Sequence, residues 1–86
     1  MKIAFSLHAE IEIQKRRIEK KHVLKVTRNP QQKLKKGEIW VCQSKYFDKL
    51  LKKEMLLRVF AEEDIKGLKV ITAYKTSKIR KYWVKK

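Results

Sequence analysis

The chain has 86 residues, room for one domain with a single small core. Its apolar fraction of 43% is that of an ordinary globular protein, enough to fold without metal or disulfide staples. Its charge is the outlier: 24 Lys and Arg against 9 Asp and Glu leave a formal +15. A small domain needs a net charge of only roughly 2–8 to stay dissolved, and a larger surplus attracts polyanions from a distance. The composition therefore points to nucleic acid first, an acidic protein second and an anionic membrane surface third. Cys42, the one cysteine, sits in an apolar run, which reads as a buried thiol in a reducing cytoplasm. With 2 histidines and no paired cysteines, no metal site or other cofactor is expected. No apolar run approaches the roughly 18 residues of a membrane span, and the first residues turn polar too soon for a secretory signal.

In chain order, residues 2–6 form a short segment compatible with a first strand. Ser6 stands where a helix N-cap belongs, and Leu7, Ile11 and Ile18 recur at helical spacing behind it. Lys15, Arg16 and Arg17 close that helix with the charge its C-terminus favours. A second helix is predicted over residues 19–28, with Val23, Leu24 and Thr27 at helical spacing, stopped by Asn29-Pro30. Residues 31–37 read as a loop.

The period then changes to two. Ile39-Trp40-Val41-Cys42 is a strand, and Met55, Leu57, Val59 and Ala61 alternate with Leu56, Arg58 and Phe60 in another. Residues 62–67 turn the chain into a last strand over 68–74, while residues 44–53 fit either a hairpin or a short helix. The whole chain, residues 1–86, reads as one α+β domain, its two N-terminal helices packed on a three- to four-stranded antiparallel sheet.

The tail, residues 75–86, interleaves cations with aromatics: Lys75, Lys78, Arg80 and Lys81 beside Tyr82 and Trp83. Single-stranded nucleic acid asks for such a mixture, cations for phosphates and ring faces for unstacked bases. The competing reading packs Tyr82 and Trp83 back on the core. Arg58 lies within a strand, sharing a face with Leu56 and Phe60. If that face is core, its guanidinium requires a carboxylate; if it lines a groove, it aims at a phosphate. His8, with Arg16 two turns on, forms a possible acid/base group beside an anion clamp, although a histidine at a helix start is more often a surface residue.

Three segments taken together resemble a known group: Ser6-Leu7-His8-Ala9 with Arg16-Arg17-Ile18, the strand Leu57-Arg58-Val59, and the run from Val70 through Tyr74 to Lys78. Their order is similar to the small BrnT-like domains of the RelE superfamily, with an N-terminal H-A-x-x-R-x-x-x-R-x-I signature and a last strand of V-x-T-x-Y type. Glu12 stands where that group places its first arginine. The resemblance implies a RelE-like fold and a toxin of a toxin–antitoxin pair. It implies metal-independent RNA cleavage, often of mRNA on the ribosome, and a small acidic antitoxin as partner. By the same resemblance, Arg58 would hold the phosphate, Tyr74 or Lys78 would position or protonate, and His8 and Arg16 would complete the site. Arg17, Lys75, Arg80, Lys81, Tyr82 and Trp83 would contact RNA. A lysine or tyrosine acting as base would need the lowered pKa that clustered cations supply. A non-catalytic RNA- or ribosome-binding module, or a basic module for an acidic protein partner, would share the charge without the cleavage.

Overall fold

The computed structural model describes residues 2–85. It runs β1 (Lys2–Phe5), α1 (Leu7–Lys15), α2 (Lys20–Arg28), β2 (Gln32–Lys36), β3 (Ile39–Asp48), β4 (Lys53–Asp64), β5 (Gly67–Thr76) and α3 (Ile79–Tyr82). The fold is α+β, with one five-stranded sheet in the order β1-β5-β4-β3-β2. The sheet is mixed, because β1 runs parallel to β5 while the other neighbours are antiparallel. This corrects the expected antiparallel sheet of three or four strands. Four residues of β1 carry no sign of their partner, and the expected loop at 31–37 contains β2.

β2 is a lysine-rich edge strand with Leu34 as its one aliphatic residue, so it lacks the alternation by which strands are recognised. Charged side chains on an edge also discourage pairing with a second chain. Gly37, at φ 61°, makes the tight return to β3. Residues 44–53 resolve as a hairpin: Asp48 pairs with Lys53, and its carboxylate accepts the Leu50 and Leu51 N–H groups.

Ser6 caps α1 by accepting the Ala9 N–H at 3.0 Å. The buried face of α1 is Ala9 and Ile13, however, while Leu7 is 76% and Ile11 46% exposed. The helix turns its small residue to the sheet because β5 lies close beneath it. These residues join Ile18, Val23 and Val26 against Cys42, Leu57, Val59, Val70 and Ala73, so the core lies between α1, α2 and one sheet face. Strand alternation then sends Arg58, between Leu57 and Val59, and Tyr74, next to Ala73, to the opposite face.

Gly67 holds the parallel edge in place. Its φ is +149°, and a Cβ there would lie 2.1 Å from the main-chain oxygen of Lys2. Gly67→Ala is expected to cost at least about 2 kcal/mol, since the backbone strain alone is of that order before β1 is displaced. Urea unfolding tests it; a loss below half that value would mean β1 is not firmly seated.

Candidate functional site

The antiparallel register lines up one residue from each of four strands: Gln32 opposite Gln43, Gln43 opposite Arg58, and Arg58 opposite Tyr74. Together they form a polar row across the face that α1 and α2 leave uncovered. Arg58 Nε donates to Gln43 Oε1 at 2.9 Å, and Nη1 donates to the Tyr74 hydroxyl at 2.7 Å. Tyr82, from α3, lays its ring 4.1 Å from the guanidinium carbon. The Phe60 ring lies 5.3 Å from the same carbon and stacks on Tyr74.

Arg58 is only 3% exposed, yet no carboxylate pairs with it among the described residues. The structure departs from both alternatives drawn from sequence in the surroundings of Arg58. The arginine is buried, not lining an open groove, and an amide, a phenol and ring faces stand where a buried arginine would need an acid. None of the described hydrogen bonds uses Nη2, and among the described residues no buried side-chain nitrogen or oxygen lacks a partner.

The two tyrosines on this guanidinium are pushed apart in acidity. Burial raises the Tyr74 phenol above its ordinary value, outweighing the pull of Arg58. Tyr82 is lowered, chiefly by the Tyr74 hydroxyl and further by Lys81 and Arg58. The lowering falls on Tyr82 and not on Tyr74, and its first cause is the neighbouring phenol, with the cations adding to it.

The other expected residues distribute unevenly. Lys81 lies 5.4 Å from the Tyr82 ring, and the Lys45 ammonium sits 4.1 Å from that of Trp83, so both tail aromatics fold back onto the sheet. Lys78 and Arg80 are exposed around α3. Arg16 reaches the edge of β5, donating to the Ala73 carbonyl at 2.8 Å, and its other nitrogen meets Glu12 at 2.9 Å. Glu12 thus anchors Arg16 from the same helix. His8 is exposed in the first turn of α1, and no described contact joins it to Arg58.

Lys75 and Arg17 belong to the other side of the sheet. Lys75 pairs with Asp48 at 3.5 Å, because it follows Tyr74 in the strand and faces the opposite way. Arg17, at φ 55°, lines a cleft of about 380 Å³ with His22, Tyr46, Asp48 and Lys75. Burial and then Asp48 push the Tyr46 phenol up to about 12, and burial holds His22 below its usual range. Asp48 is occupied by Lys75, Tyr46 and the turn N–H groups, which makes this cluster a staple for the β3–β4 hairpin.

Among the described residues no group of three His, Cys, Asp or Glu side chains could hold a metal ion, and no helix is long and apolar enough to cross a membrane. Gln43 and Gln32 escaped sequence reading. The signal is a glutamine that continues the Val41 face of β3 past Cys42, where the apolar run ends. No protein-family model matches the chain, and no curated protein or solved structure matches it significantly.

Proposed function

We propose that this protein is a RelE-like endoribonuclease toxin, cleaving RNA in the cytoplasm without a metal and held in check by a small acidic antitoxin. One observation carries the reading: a buried guanidinium with no carboxylate partner among the described residues, held instead between the Tyr74 hydroxyl and the Tyr82 ring. A buried charge left without a counter-ion costs several kcal/mol and contributes little to a fold. Such a group is retained where an anion is to be bound. Titratable neighbours whose environments drive their pKa values apart mark an acid and a base. Two N-terminal helices on one sheet face, with the first strand returning beside the last, are compatible with the RelE-like arrangement.

In this mechanism a phosphate meets Arg58 at Nη2. The Tyr82 phenolate takes the proton of the ribose 2′-OH as its oxygen attacks the adjacent phosphorus. Arg58 and the surrounding cations stabilise the crowded phosphorane. The Tyr74 hydroxyl, which accepts from Arg58 and lends its proton to the Tyr82 phenolate, is released once Tyr82 has taken the 2′-OH proton. The 5′-oxygen then leaves with the Tyr74 proton. Lys45, Lys78, Arg80 and Lys81 draw the strand in. The products are a 2′,3′-cyclic phosphate and a 5′-hydroxyl.

Close cover of Arg58 by Tyr82 favours a second reading, RNA binding without cleavage. End-labelled single-stranded RNA, incubated in EDTA with and without ribosomes, separates the two. Cleavage with cyclic-phosphate ends is expected, and 2′-deoxy substitution at the cut site should block it. Binding through about five phosphates should weaken about 10²-fold between 50 and 200 mM salt. Intact RNA bound with that salt dependence would select the second reading, and salt-independent or absent binding would sink both.

A further inference from the structure

Two glutamines of the polar row have no part in the steps above. Gln43 is fully buried in β3, and its amide is used from both ends. Oε1 accepts from Arg58 at 2.9 Å, while Nε2 donates to Gln32 Oε1 at 2.7 Å and to the main-chain oxygen of Tyr82 at 3.1 Å. Only the oxygen end can meet a guanidinium N–H, so the amide has one workable orientation. Gln32 completes the connection, donating to the Val84 carbonyl at 2.7 Å and accepting the Val84 N–H at 3.1 Å.

These bonds hold a segment that cannot hold itself. α3 has four residues and no buried side chain, too little helix to persist alone. Its neighbours in the row therefore decide where the Tyr82 hydroxyl stands. Apolar side chains would fill the same positions more cheaply, as Val41 and Leu56 do on this face. The amides do something Val or Leu could not: they tie the Arg58 side chain and the backbone of residues 82–84 to one another.

We infer that Gln43 and Gln32 are positioning residues of the reaction centre, Gln43 setting the plane of the Arg58 guanidinium and the pair together docking residues 79–84 so that Tyr82 stands beside Arg58 and Tyr74. The catalytic consequence rests on the RNA-cleavage reading; the docking does not.

Gln32→Ala tests both, because Gln32 is half-buried on an edge strand and its loss spares the core. Two measurements are made on the intact chain: steady-state cleavage of single-stranded RNA, and NMR titration of ring-labelled tyrosines. The variant should lower kcat by about tenfold to 10²-fold, as small misplacements of reacting groups do, with KM within about twofold. Tyr82 should titrate higher, toward about 10, as it leaves Tyr74 and Arg58. Tyr46, on the other face, should not move. Gln32→Glu keeps acceptors for the Val84 N–H and for Gln43 while losing the donor, and should fall between the two. An unchanged Tyr82 titration in Gln32→Ala would overturn the docking whatever the activity. A shifted titration with unchanged kcat would overturn the positioning role. Absence of cleavage by the wild-type protein sinks the RNA reading instead, and the titration still decides the docking.

Discussion

Arg58→Ala is expected to destabilise the protein by about 3 kcal/mol and to abolish RNA cleavage. The stability loss has two sources. Truncation leaves a cavity under the Tyr82 ring, and it strands Gln43 Oε1 and the Tyr74 hydroxyl without their donor. Each stranded buried polar group costs about 1–3 kcal/mol, although Tyr74 is half-buried and water will relieve part of its share. A domain of this size has about 5–15 kcal/mol in total, so the variant should still fold in the cold. Arg58→Lys separates the two effects. It keeps the charge but lacks the planar fork that spans Gln43 and Tyr74 at once. It should therefore recover part of the stability and little of the cleavage. Urea unfolding and cleavage measured side by side give the answer. A loss below about 1 kcal/mol for Arg58→Ala would mean that the row is loosely packed and the site wrongly built.

The contrast between Arg58 and its neighbours shows how far sequence reached. Arg58 was legible as an anomaly, because a charged residue inside an alternating strand breaks a local rule. Ser6 was legible as a cap and Asn29-Pro30 as a helix stop, since those effects act within a few residues. Long-range matters were hidden. The parallel return of β1 is fixed by which strand the chain finds beside Gly67, and nothing in Lys2–Phe5 announces that choice. Leu7 and Ile11 have helical spacing yet face outward, because the close approach of α1 to β5 admits Ala9 and not a larger side chain. The glutamine partner of Arg58 comes from a strand 15 residues away, and Gln32 behind it from farther still, aligned only by register. Tail aromatics fold back against Arg58 and Lys45, the competing reading of the tail, because composition cannot tell a ring waiting for a base from one already stacked on a guanidinium.

Tyr82→Phe is the sharper functional test, because it removes one oxygen and leaves the ring over Arg58. Stability and RNA affinity should change little, since the stacking contact at 4.1 Å involves the ring alone. Cleavage should fall by about 10² to 10⁴, the usual contribution of a positioned general base. The pH dependence fixes the assignment. Wild-type kcat should rise as Tyr82 loses its proton, below the ordinary phenol value of 10.0, and fall as Tyr74 loses its own, above it. The rising limb should vanish in the variant while the falling limb stays. Phenolate absorbance gives the same order without substrate: Tyr82 first, Tyr74 later and Tyr46 at about 12. Tyr46 also sets an alkaline limit on the fold. Its unfolded phenol ionises near 10.0 and its folded phenol only at about 12, so its contribution to stability is complete below the first value and is lost between the two. If Tyr82→Phe retains the rising limb, some other group takes the 2′-OH proton, and the paired-tyrosine centre must be abandoned.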